Sequence, residues 1–392
     1  MKTHKLSEWP SFSADEVRAV SRVLESNKVN YWTGNVGRQF EEEFSAWSES
    51  KFSIAVSNGT VALDLSLKAI NIKHGDEVIV TPRSFIASVS SVISAGAKPI
   101  FADVDPLTGN LNAESINKRI TKRTKAVICV HLGGLPCEMD EIMKLAKKNK
   151  LYVIEDCAQA HGATYKGKSL GSIGHIGAWS FCQDKIMTTG GEGGMVTTNS
   201  KKLWRVMWEY KDHGKNYNSV NRKTSKQGFR WIHDTFGTNW RMTEMQAALG
   251  RVQLQKMGRW NKLRNRNANA ISKCLSKFPD LIYQSVVPHY INHAYYRVYA
   301  YIKEEALNKN WSRDKIIKQI NFSGVPCFSG SCPEIYKEKA FISSGLRPIT
   351  DLKNAKSLGE KSIAFLCHPT LTLKDIRFME ENITKVLSDA SR

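Results

Sequence analysis

A chain of 392 residues exceeds what one hydrophobic core usually organises, so two domains are expected, and 41% hydrophobic residues suffice to fill both. No run of about 18 uncharged apolar residues occurs, and the opening MKTHKLSEWPSFSADEV lacks the apolar centre of a signal peptide, so no membrane span is read and a cytoplasmic location is expected. The 57 Lys and Arg against 37 Asp and Glu leave a net charge of +20, which suits an anionic partner but does not choose among nucleic acid, membrane surface and nucleotide.

In chain order, Ser13 and Glu16 form a capping box ahead of Val17, Val20 and Leu24, which predicts an amphipathic helix over 13–27. From residue 52, apolar runs alternate with helical stretches: FSIAVS with VALDLSLKAI, EVIVT with IASVSSVISA, AVICVH with EIMKLAKKNK, then LYVIED. Those runs are apolar throughout, as strands covered on both faces by helices must be, so a mainly parallel α/β sheet is predicted. GAWSF and GGMVTTN flank a glycine-rich loop near 183–194, and Thr243 with Gln246 caps a long helix expected to join the domains. Beyond residue 258 a smaller α+β domain is expected, with HAYYRVYAYI as a strand and WSRDKIIKQINF and LKDIRFMEENITKVLSDA as helices; this divides the chain into 1–257 and 258–392.

The eight cysteines are scattered, several within apolar runs, and read as buried thiols; Cys327 and Cys332 lack companions for a metal site, and no metal is expected. The basic segments KLAKKNK, KLRNRN and NRKTSKQGFR carry no nucleic-acid motif and read as solvated faces.

Three segments carry chemistry. IEDCAQAHGA (154–163) ends a buried strand with two carboxylates where open α/β sheets place ligands; Asp156, aimed at a pyridine nitrogen, would keep that nitrogen protonated, while the alternative is an acidic helix cap. In AWSFCQDKIMTTGGEGG (178–194), Lys185 follows an apolar strand, and a buried lysine with a pKa lowered by burial or a nearby cation would serve Schiff-base chemistry; a solvated surface amine is the plain alternative. AVSNGTVALDL (55–65) turns from strand to helix, where the amides of Gly59 and Thr60 and the Thr60 hydroxyl offer an anion site. Phe85, after EVIVTPRSF, is either a flat platform for a ring or a core aromatic.

With SNGTVAL, EDCAQAHG, SFCQDK, GGEGGMVTTN and FGTNWRMTEMQAALG in this order across residues 13–257, the chain resembles the DegT/DnrJ/EryC1/StrS family of sugar aminotransferases. The resemblance implies an α/β fold of the pyridoxal-phosphate-dependent fold type I (aspartate aminotransferase-like), with a seven-stranded large domain and a small C-terminal domain. It further implies a homodimer with shared active sites. Position by position it implies that Lys185 bonds the cofactor and shuttles the proton, Asp156 meets the pyridine nitrogen and Gln159 the phenolic oxygen. Phe85 would stack on the ring, Gly59, Thr60 and Ser180 would hold the phosphate, and Asn239 would reach the phosphate from the neighbouring subunit. His161 and Arg241 lie within matching motifs without an assigned role.

The implied reaction passes an amino group from L-glutamate through pyridoxamine phosphate to a nucleotide-linked keto sugar, for polysaccharide or O-antigen biosynthesis. Family dehydratases have histidine where Lys185 stands, which disfavours dehydration. The segment GVPCFSGSCPEIYKEKAF (324–341) replaces a histidine-containing pocket segment common in relatives and resembles members acting on UDP-2-acetamido-4-keto-6-deoxyhexoses, which favours amination at C4. The alternatives are amination at C3 of a dTDP- or GDP-keto sugar, or a non-catalytic cofactor-binding regulator. The reading HLGGLP also departs from the family pattern, so a different loop after His131 is expected.

Overall fold

The computed structural model describes residues 4–222 and 228–392; part of the basic segment NRKTSKQGFR and the first three residues of the chain lie outside the described residues. The central sheet has seven strands in the order Phe52–Val56, Gly194–Thr198, Ile176–Ser180, Tyr152–Asp156, Thr124–Val130, Glu77–Val80 and Lys98–Phe101. Gly194–Thr198 runs antiparallel to both neighbours, and every other pairing is parallel. The sheet is mainly parallel, as the unbroken apolar runs require: Ile79, Val127 and Val153 point into one buried cluster, and Val78, Ile128 and Ile154 into another.

Local capping sets the helix starts. Ser13 and Glu16 form the expected box at the head of Ala14–Glu25, and Thr243 and Gln246 do the same for Glu244–Leu275. Asn35 makes no side-chain cap for Val36–Trp47; the carboxylate of Glu244 instead accepts from the amides of Val36 (2.6 Å) and Gly37 (3.0 Å). A negative charge on two free amides at a helix start is favourable there, and it ties the N-terminal region to the MTEMQ segment.

A second sheet of four antiparallel strands, Ile282–Tyr283, Val298–Ile302, Ser362–Phe365 and Cys327–Phe328, packs against the helices Arg313–Phe322 and Leu373–Ala390. The 32-residue helix Glu244–Leu275 serves both cores: Ala247, Leu254 and Met257 pack with the large sheet, and Ile271 and Leu275 with the small one. The 257/258 boundary therefore falls inside one continuous helix. HAYYRVYAYI pairs only over Val298–Ile302, and its first half crosses to the large domain as a connecting segment. All eight cysteines are unpaired, six of them buried.

Candidate active site

The loops that follow the parallel strands converge at one edge of the sheet, where the chain must leave its hydrogen-bonded ladder and expose free polar groups. Two adjacent carboxylates end the Tyr152–Asp156 strand on opposite faces, and the structure separates their duties. Glu155 accepts from the amides of Gly171 (2.9 Å), Ile173 (3.0 Å) and Gly174 (2.6 Å) and lies 3.2 Å from Nε2 of His131. Nδ1 of His131 accepts from the Cys137 amide at 3.1 Å, so Nε2 carries the hydrogen and donates to Glu155. Glu155 is thus a brace for the 170–174 loop.

Asp156 faces the other way. Its Oδ2 accepts from the Ser88 hydroxyl at 2.7 Å and its Oδ1 from the Ala158 amide at 3.1 Å. Only 5% of it is exposed, and burial raises its pKa while those two hydrogen bonds and the charge of Lys185 pull it back. It is a buried carboxylate, oriented by two donors, with no ion pair among the described residues.

Val56, Gly194 and Ser180 lie in register across three strands, so the turn after Val56 emerges beside Ser180. The helix Gly59–Ala69 starts there, with Asn58 as its cap, accepting from the Val61 amide at 2.9 Å. The amides of Gly59 and Thr60 at the head of this helix are left free of intrahelical partners. A Cβ on Gly59 would stand 2.6 Å from the Cβ of Ser180, so only glycine lets these two backbones approach.

Lys185 lies in the turn after the Ile176–Ser180 strand; its side chain is 16% exposed. Burial lowers its pKa, yet the surrounding Tyr296, Asp184, Cys182 and Asp156 together outweigh burial and hold the amine above its ordinary value. The free amine is therefore a cation 3.6 Å from Asp184, not the depressed base that its burial alone predicts. The Tyr296 hydroxyl donates to Asp184, and the Tyr296 ring lies 5.1 Å from the lysine Nζ.

A cavity of about 480 Å³ opens between the domains, with Phe85, Gln159, Asp184 and Lys185 on one wall and Tyr296, Arg297, Phe328 and Ser331 on the other. Phe85, 67% exposed, presents its ring to this cavity instead of joining the core. Oε1 of Gln159 accepts from the Gly133 amide at 2.7 Å, which leaves its amide hydrogens for a ligand. Asn239 is exposed and does not line the cavity of its own chain. Arg241 pairs with Asp212, and His161 is buried against Trp179 and Phe181 with neither ring nitrogen bonded.

Ser88, Asp184, Tyr296 and Arg297 were not singled out in the sequence. Asp184 adjoins the lysine in sequence, but the others come together only through the fold.

The residues fit the pyridoxal phosphate that the sequence resemblance implies: a buried, oriented carboxylate lacking a cation, a helix start from which glycine excludes any side chain, an exposed aromatic face, and an amine in the same cleft. They offer a metal ion less. His131, Glu155 and Cys157 bring one ligand atom each within 4.8 Å of one another, but the imidazole and carboxylate are already engaged with each other and with backbone amides.

The chain matches the DegT/DnrJ/EryC1/StrS aminotransferase family over residues 10–384. The crystal structure of an aminotransferase from Psychrobacter cryohalolentis is 57% identical, covers 98% of this chain and 99% of its own, and superposes with a TM-score of 0.97. GDP-perosamine synthase of Escherichia coli O157:H7 is 34% identical over 97% of this chain and 98% of its own length. UDP-N-acetyl-3-dehydro-alpha-D-glucosamine 3-aminotransferase of Acidithiobacillus ferrooxidans is 40% identical over 65% of each chain. The seven-stranded sheet and its small companion domain are those of fold type I aminotransferases. The chain belongs to the DegT/DnrJ/EryC1/StrS aminotransferase family.

Proposed function

We propose that this protein moves the amino group of L-glutamate to C4 of a UDP-2-acetamido-4-keto-6-deoxyhexose, using pyridoxal phosphate held by Lys185. Enzymes of this family depend on pyridoxal phosphate, and nucleotide-sugar amination in polysaccharide biosynthesis is the family's work. The observation that carries the reading is the convergence of Lys185, Gln159 and Phe85 on one interdomain cavity, with the buried Asp156 near enough to feel the charge of Lys185.

Bound pyridoxal phosphate supplies a carbonyl to receive the donor's amino group and a ring to delocalise the electron pair left when a proton leaves carbon. The chain's residues do the rest. Asp156, fixed by Ser88 and Ala158, holds the proton on the ring nitrogen. Gly59, Thr60 and Ser180 would hold the phosphate, with Asn239 reaching it from a second copy. Gln159 would donate to the phenolic oxygen, and Phe85 would stack on the ring. In each half-reaction Lys185 Nζ would carry the proton between the substrate carbon and the cofactor.

The relative whose name places its amino group at C3 supports C3 as a second reading. A panel of UDP-, GDP- and dTDP-keto sugars, each offered with glutamate and read by product mass and configuration, decides between them. The reading requires a yellow protein that glutamate bleaches and a C4-amino product from the UDP sugar; Lys185→Ala should lose both. A protein that takes up the cofactor but is inert to glutamate would instead be a binding or regulatory member of the fold.

A further inference from the structure

We infer that Arg297 is the carboxylate anchor for the amino-acid donor, an assignment that rests on the aminotransferase reading above. The guanidinium lines the same cavity as Lys185. It lies 4.7 Å from the centre of the Phe328 ring and 5.2 Å from that of Tyr296, and Lys185 Nζ lies 5.1 Å from the centre of the same Tyr296 ring. Two cations thus lie near one aromatic ring and line one cavity.

The guanidinium is fixed but not spent. Aromatic faces hold its plane without using its N–H groups. Nη1 is buried with no hydrogen-bond partner, and no ion pair joins Arg297 to any described residue. Asp184, a carboxylate that feels its charge, is committed to Lys185 and to the Tyr296 hydroxyl. Glu338, the other acid on the cavity wall, is exposed. A planar guanidinium with paired donors matches a carboxylate in two parallel hydrogen bonds, which an ammonium cannot do.

The reaction offers two anions, the carboxylate of the donor and the diphosphate of the sugar nucleotide. Connectivity selects the first. In an amino acid the carboxylate is attached to the carbon that bears the reacting nitrogen, so it must sit close to Lys185. In the proposed sugar substrate the diphosphate is at C1, across the ring from the reacting C4. Arg297 and Lys185 lie 5.2 Å and 5.1 Å from the centre of the same Tyr296 ring, which places Arg297 for the near anion.

Holoenzyme carrying Arg297→Gln or Arg297→Lys tests this in two separate half-reactions. With glutamate alone, followed by visible absorbance, Arg297→Gln should raise the half-saturating concentration about 10- to 100-fold, as loss of a charge-assisted pair does, while Arg297→Lys recovers part of it. Calorimetric titration with α-methylglutamate, which keeps both carboxylates but has no α-proton to lose, should show the same loss in binding. The dependence of the second half-reaction on the UDP-keto sugar should stay at the wild-type value. Cofactor absorbance and melting temperature equal to wild type establish that each variant is folded. Glutamate dependence unchanged in both variants, or a loss confined to the nucleotide sugar, overturns the assignment. Wild-type protein inert to every amino acid overturns the aminotransferase reading with it, whereas a responsive wild type matched by Arg297→Gln overturns the anchor alone.

Discussion

The Ser88 hydroxyl donates to Oδ2 of Asp156 at 2.7 Å, with both side chains buried and Ser84 Oγ 2.9 Å from Ser88 Oγ behind them. Burial raises the Asp156 pKa, and this hydrogen bond is the largest influence opposing it. Removing it in Ser88→Ala raises the Asp156 pKa further, so the carboxylate is protonated over a wider pH range and meets a pyridinium less well. Cofactor affinity should fall about tenfold near neutrality, the scale of one hydrogen bond to a charged group, and the acid limb of the affinity profile should move to higher pH. Equilibrium dialysis of the cofactor at several pH values measures both; an unmoved acid limb would remove Ser88 from the site.

The same carboxylate has a cost in the cofactor-free protein. A folded-state pKa above the unfolded value means that the contribution of Asp156 to stability is full at low pH and is lost as pH rises through the folded pKa. Asp156→Asn carries no such loss. Its amide can accept from Ala158 and donate to Ser88, so the cofactor-free variant should melt above wild type at pH 7, with the difference shrinking as pH is lowered. Its activity should fall at least about a hundredfold, because a neutral amide cannot keep the ring nitrogen protonated. Scanning calorimetry of the two cofactor-free proteins checks the first claim and turnover the second.

His161 gives a second pH dependence of opposite sign. Burial, reinforced by the charges of Lys185 and Arg264, lowers its pKa to about 3, and neither ring nitrogen has a partner. The unfolded chain takes up a proton near pH 6.5 that the folded chain refuses, so stability falls as pH drops from about 6.5 towards 3. Between Trp179 and Phe181, a phenyl ring can occupy the same place. His161→Phe should therefore remove about 2 kcal/mol of the acid penalty at pH 5 relative to pH 7.5. His293 and His368, with pKa values lowered to about 3 and about 4 mainly by burial, keep the rest of that penalty in place. Urea midpoints at the two pH values test it: equal acid losses in both proteins would show that His161 is not excluded from protonation.

How much of this was readable depends on how far each feature reaches along the chain. The helix Leu373–Ala390 was legible because its cap, Thr372 with Asp375, and its apolar face are local. The strands through Val127 and Val153 were legible because burial on both faces leaves an unbroken apolar run. Lys98–Phe101 is an edge strand containing lysine and proline, so it leaves no such mark. In the site, Asp156 and Lys185 could be picked out at strand ends, whereas Ser88 meets Asp156 across 68 positions and Tyr296 meets Asp184 across 112. The raised lysine pKa is hidden from the sequence for the same reason: burial is visible in the apolar flanks, but two of the groups that oppose it, Tyr296 and Asp156, arrive from other loops.

The turn after His131 connects both walls of the cleft, which makes it a test of how the site is held. Gly133 and Gly134 have φ of 65° and 92°, in the left-handed region that disfavours side chains. The Gly133 amide donates to Gln159, while the carbonyls of Gly134 and Gly133 accept from the amides of Ala294 (3.1 Å) and Arg297 (3.4 Å). A Cβ on Gly134 would stand 2.8 Å from the backbone carbonyl oxygen of Gln159, which cannot swing aside as a flexible side chain would. Gly75, with φ of 87° and nothing within 4 Å of its Cβ, provides the control: alanine there adds backbone strain alone. Gly75→Ala should cost about 1 kcal/mol and leave cofactor affinity unchanged. Gly134→Ala should cost more, about 1–3 kcal/mol, and also weaken the cofactor, since relieving the clash displaces Gln159 from one wall and the Ala294–Arg297 segment from the other. Thermal melts with and without added cofactor separate the two effects: the stabilisation by cofactor should be preserved in Gly75→Ala and reduced in Gly134→Ala. Equal stabilisation in both would mean that the turn shapes the fold without positioning the site.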